Sequence, residues 1–152
     1  MYQVLLLLHS WNRWAVLVLM LLVLVGSIRR FKATGAMQPR DLKLARITAV
    51  VVDIQAVLGL LLYGVFSPIT NAAFQNMKGA MKDPVMRFWA VEHLAMMLVA
   101  WILVRVGTIL AKKSSTTPYR TLAVCFGLAL LFMILMVPWP GAVTERPLFR
   151  MP

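Results

Sequence analysis

His9 and His93 are the only histidines in this 152-residue chain. Their spacing to the basic residues that follow them is almost the same: His9 lies 20 residues before Arg29, and His93 lies 19 before Lys112. A neutral imidazole offers one ring nitrogen to a metal and keeps an N–H on the other. Two imidazoles at one depth on opposing helices are what bis-histidine haem b needs, one ligand to each face of the iron. Arg13 follows His9 at i+4 on the same helix face, and Glu92 precedes His93, level with Arg13. Arg13 and Glu92 would therefore pair, and would orient or charge-balance such a site. Arg87, Arg146 and Arg150, with Lys78 and Lys82, would hold the propionates at the outer surface.

Plainer readings of the same residues stand beside this one. The histidines would hydrogen-bond to each other, to Glu92 or to water in a polar rim. Zinc would want three or four ligands, and beyond the histidines only Glu92 is near, with Cys125 in another layer. The 11 methionines, Met96 and Met97 among them, suit copper, although a Met-rich apolar helix is more often packing. The outer basic residues would then bind lipid headgroups or a partner subunit.

A second polar layer lies deeper. Asp53 comes 7 residues after Arg46 and Arg105 comes 7 before Lys112, so the two opposite charges are matched in depth, with Gln55 nearby. An Asp53–Arg105 ion pair is expected, and its simplest role is to lock helix register, with a proton or quinone role as the alternative.

These residues need long helices to carry them. The chain is 61% hydrophobic with a net charge of +11, too apolar for a disordered chain or an ordinary soluble domain. Its charges fall between apolar runs, which argues for membrane and against nucleic acid as the partner. A spanning helix needs roughly 20 apolar residues, and four runs qualify, at about 4–28, 47–66, 88–111 and 121–137. In lipid only helices satisfy their own backbone over such lengths. The expected fold is one all-α domain, a four-helix transmembrane bundle of up-down topology. The first run has a long apolar core with its basic cluster after it, which is not the pattern of a removable signal peptide.

Lys and Arg set the orientation. Arg29, Arg30, Lys32, Arg40, Lys43, Arg46, Lys112, Lys113 and Arg120 lie on one side, and Lys78, Lys82, Arg87, Arg146 and Arg150 on the other. Nine against five puts the first group in the cytoplasm and both termini on the outer, periplasmic side of a bacterial inner membrane. On that side the second loop, residues 68–87, carries Phe74, Met77 and Met81 at spacings that suit a short amphipathic helix over the site. Trp11, Trp14, Trp89 and Trp139 fall there as an aromatic belt would. No Ser-His-Asp set, His-Glu-x-x-His or phosphate loop is present.

Three segments resemble a known family. His9-Ser10-x-x-Arg13-Trp14, Gln55-x-x-x-Gly59-Leu60-x-Leu62-Tyr63 and Arg87-Phe88-Trp89-Ala90-Val91-Glu92-His93 look like small four-helix membrane proteins of Bacteroidetes-type bacteria labelled cytochrome B. Gly79-Ala80-Met81-Lys82-Asp83 and Pro138-Trp139-Pro140 fit as well, so the resemblance covers nearly the whole chain. It implies a haem b-binding electron carrier with His9 and His93 as ligands. Those relatives often carry a further histidine where this chain has Asp53, which puts a second haem or a third ligand in doubt. The leading expectation is thus a one-haem b-type cytochrome that passes single electrons, with a membrane quinone as a second redox cofactor. Its partners would be lipid, a redox or respiratory membrane complex, or a second copy of the chain. The rival expectation is a non-catalytic small subunit of a larger membrane complex, in which the histidines are structural.

Overall fold

Prolines at positions 39, 68, 84 and 118 each open a helix. Proline suits the first helical turn, because its missing N–H would have no partner there. In the computed structural model, which describes residues 1–142, 144, 147 and 149, α1 covers Tyr2–Arg29 and α2 Pro39–Leu61. Three short helices follow: α3 at Pro68–Gln75, α4 at Met77–Ala80 and α5 at Pro84–Arg87. Then come α6 at His93–Lys113 and α7 at Pro118–Leu135. Two π-helical turns extend the long helices. One continues α2 through Leu62–Phe66, and the other, Phe88–Glu92, leads from α5 into α6.

Among the described residues, four continuous helical stretches are long and apolar enough to cross a membrane: Tyr2–Arg29, Pro39–Phe66, Pro84–Lys113 and Pro118–Leu135. They match the four apolar runs. The second and third are 28 and 30 residues long, or about 42–45 Å at 1.5 Å per residue, so their ends outreach a hydrocarbon layer of about 30 Å. The fourth stops at Leu135, two residues before its apolar run ends.

Around the bundle α1 packs on α2 and α7, and α6 packs on α7 and α2. The two histidine-bearing helices therefore stand at opposite corners. The core between them holds Met20, Val52, Val104, Leu122 and Phe126. Buried Thr48 and Thr108 donate their hydroxyls to Leu44 O and Val104 O of their own helices, at 2.9 and 2.8 Å. That is how a polar atom is accommodated without a cross-helix partner. Outward, Leu21, Val50, Ile102 and Leu131 are exposed. Water would penalise such a surface, and a lipid bilayer is its natural solvent.

The basic end is tied across its loops. Gly35, at φ +89° in the left-handed region, lets the first loop turn so that its N–H reaches Ser115 O at 2.9 Å. Asp41 accepts from Tyr119 Oη at 2.7 Å and pairs with Arg30 at 3.5 Å.

The second loop differs from the single amphipathic helix expected there. Asn76, at φ −143°, breaks the helix, and its side chain caps the next one through Gly79 N–H. Asp83 caps α5 in the same way through Met86 N–H at 2.8 Å. Asn and Asp compete with the helix for backbone N–H groups and so divide it. Phe74, Met77 and Met81 remain exposed, as the spacing expected.

Candidate functional site

At the end of the bundle away from the Arg29 and Lys112 clusters, the helices leave a cavity of about 190 Å³. His9 and Arg13 of α1, Gln55 and Gly59 of α2, and His93 and Met97 of α6 line it. Ser67 and Thr70, at the start of α3, close one side, and Val137 and Pro138, after α7, close another. The site thus draws on all four long helices, α7 contributing Met133. It also uses the two segments, α3 and the Pro138 turn, that fold back over their ends.

A chain of amide contacts orients His9. Asn12 Nδ2 donates to Val51 O at 3.2 Å, and a carbonyl can only accept, so this end of Asn12 is its NH2. The same group donates to Gln55 Oε1 at 2.9 Å. Gln55 therefore turns its NH2 to His9, donating to the His9 carbonyl at 3.1 Å and facing His9 Nε2 at 3.3 Å. That makes Nε2 the accepting nitrogen. Nδ1 of His9 is buried with no hydrogen-bond partner among the described residues. The ring comes close to α2 because residue 59 is glycine: a Cβ there would sit 3.2 Å from His9 Cε1.

His93 is oriented differently. Its Nδ1 lies 3.1 Å from Met136 O. The carbonyl again only accepts, so Nδ1 carries the proton and Nε2 keeps its lone pair. This is the usual arrangement of a metal-binding histidine, in which one nitrogen is held by a backbone carbonyl and the other is left for the metal. Trp89 and Phe88 flank the ring, with centroids at 5.3 and 5.6 Å. Both belong to the π turn, whose last hydrogen bond runs from His93 N–H to Phe88 O. Tyr63, in the other π turn, donates to Ala90 O at 2.8 Å and clasps the two turns together. π turns inserted in α-helices are frequent at functional sites.

The remaining expected site residues fall into three groups. Arg13 lines the cavity, has Nη2 3.5 Å from Ser10 Oγ, and lies 5.4 Å over the Trp14 ring. Glu92 does not take Arg13 as its ion-pair partner: it pairs with Arg87 Nε at 2.7 Å. The π turn explains this correction, because its wider winding brings residue i+5 over residue i. Arg87 is thereby spent on Glu92 and also reaches toward Met81 O at 3.5 Å, outside the cavity lining. Arg146 and Arg150 lie outside the described residues. Near them in sequence, Pro147 lines the cavity and Phe149 stacks on Trp14 at 5.1 Å.

The deeper layer forms as expected. Arg105 Nη2 lies 2.8 Å from Asp53 Oδ2. Trp101 adds a bond that spacing alone did not suggest, donating Nε1–H to Asp53 Oδ1 at 2.8 Å. Gln55, expected near this pair, belongs instead to the histidine layer. One signal for that was available, since Gln55 precedes Gly59 by one helical turn and so shares its face.

The donor set fits haem b: two neutral imidazoles from opposite corners of the bundle line one largely apolar space. Among the described residues no three His, Cys, Asp or Glu side chains come together, as a zinc site would want. At about 190 Å³ the cavity exceeds the roughly 150 Å³ that encloses a benzene ring. It falls short of the roughly 300 Å³ at which sites for larger ligands begin. A porphyrin therefore requires wall side chains to move. Met97, Met133 and Met136 line the wall and are the flexible ones.

No protein-family profile, no curated protein and no solved structure matches the chain.

Proposed function

We propose that this chain is a membrane-bound b-type cytochrome, an up-down bundle with both termini on the periplasmic side of a bacterial inner membrane. One haem b would sit between α1 and α6, and a bound haem supplies reversible one-electron transfer. The observation that carries the reading is the convergence of the only two histidines, from non-neighbouring helices, on one apolar cavity. His93, with Nδ1–H held by Met136 O, offers Nε2 as a ligand. His9 offers the second once its 3.3 Å contact with Gln55 is exchanged. Arg13 is the described cation positioned to meet a propionate, and Arg146 and Arg150 would add to it. The largely apolar walls would keep the haem faces dry, and the nearby outer surface would let an electron pass to a carrier or partner complex.

The test is a visible spectrum of the detergent-purified protein, oxidised and then reduced with dithionite. Reduction should sharpen the Soret band and resolve α and β bands, as low-spin six-coordinate haem b does. His9→Ala and His93→Ala should each abolish haem retention. A flat spectrum in protein expressed with ample haem would overturn the reading and favour the small-subunit alternative.

The cavity volume favours a second reading, a quinone headgroup, which is a single ring. Extraction of the purified protein would then release a quinone while the visible spectrum stayed flat.

A further inference from the structure

The Asp53–Arg105 pair is at membrane depth, and it is not enclosed. Each residue is seven positions from a basic residue on the basic side of the bundle, Arg46 in the second turn of α2 or Lys112 at the end of α6. At 1.5 Å per residue that is about 10 Å in from the basic rim. Yet the Arg105 side chain is 48% exposed and that of Asp53 27%. Around them the surface is aliphatic: Val50, Ile54 and Val57 of α2, and Ile102, Val106 and Ile109 of α6, are all exposed. Charged residues within spans almost always face protein or water rather than lipid. Arg105 has five N–H donors, and among the described residues only Nη2 meets Asp53. Asp53 uses one oxygen for Arg105 and the other for Trp101, and each oxygen has a further lone pair to give.

We propose that a second copy of this chain covers the pair, in a two-fold dimer through the α2–α6 face. The charges choose the occupant. The cluster is neutral as a whole, so an anionic lipid headgroup would leave a net charge at that depth. A two-fold axis beside the pair brings each guanidinium to the other chain's carboxylate, and four charges then satisfy one another with no foreign group. The exposed faces that surround it, on both helices, are β-branched and suited to close packing across such an axis. The proposal is independent of what occupies the histidine cavity.

The experiment is disulfide cross-linking in native membranes, in a Cys125→Ser background. Ile54→Cys and Ile102→Cys report on the proposed face, and Leu21→Cys and Leu131→Cys on exposed faces of α1 and α7. A mild oxidant should give a band at twice the chain mass for at least one of the first two and for neither control. Adding Asp53→Asn and Arg105→Gln together should abolish that band, with helicity by circular dichroism confirming that the variant folds. Three results would overturn the proposal. One is no dimer at either test position, and another is equal cross-linking at all four. The third is a stoichiometric foreign subunit captured at positions 54 and 102.

Discussion

His9 and His93 are unequal donors, and the inequality comes from what holds each ring. Met136 O accepts from His93 Nδ1 and so leaves Nε2 ready. His9 is held through its other nitrogen by Gln55, whose own orientation depends on Asn12. Replacing Gln55 by Leu would leave one N–H of the Asn12 amide without its acceptor, the other keeping Val51 O, and would remove the partner of His9 Nε2. Orphaned buried polar groups cost about 1–3 kcal/mol each. Gln55→Leu should therefore lower the melting temperature of the ligand-free protein. Because it also frees His9 Nε2, it should leave haem retention in a titration intact or tighter; a loss of retention would mean that the Gln55 contact prepares His9 as a ligand. That Gln55 served His9 rather than Asp53 had one signal in residue order: Asp53 and Gln55 are two apart on α2 and so point to different faces, and Gln55 shares the face of Gly59. Which of these faces meets His9 is decided by the rotation of α2 against α1.

At the scale of the elements, glycines at two contacts set how closely helices approach. Gly59 makes room for His9, and Gly107 makes room for α7: a Cβ at 107 would lie 2.6 Å from Cys125 Cβ. That atom is fixed to the α7 backbone and cannot swing away, so α6 and α7 would have to part. Gly107→Leu should cost about 1–3 kcal/mol, as overpacking does. Gly26, also helical, has nothing within 4 Å of an added Cβ. Gly26→Ala should be neutral or gain up to about 1 kcal/mol of helix propensity. Thermal melts in one detergent compare the two, and equal effects would remove the close-approach argument. The π turns are the other device of this scale. The one at Phe88–Glu92 places Glu92 over Arg87 and thereby withdraws Glu92 from Arg13 and Arg87 from the cavity, an outcome that ordinary α-helical spacing does not foresee.

For the whole molecule, the bias of Lys and Arg predicts which side of the membrane each end occupies. In a Cys125→Ser background, a membrane-impermeant maleimide applied to intact spheroplasts should label Lys78→Cys. It should label Lys32→Cys only after permeabilisation, and the opposite pattern would invert the proposed topology. The four apolar runs, the matched depth of His9 and His93 and the Asp53–Arg105 match were legible without a structure. Apolar run length reports what lipid demands of a helix, and residue counts along parallel axes report depth. Counting cannot report azimuth, the direction in which each side chain points around its helix. The diagonal placing of the first and third spans was also expected and agrees with the packing, but packing alone decided that Gln55 faces His9, that Trp101 joins Asp53, and that Arg105 remains half-open to its surroundings. Depth is additive along one chain at 1.5 Å per residue. Azimuth depends on how every helix rotates against its neighbours, and only the folded bundle sets it.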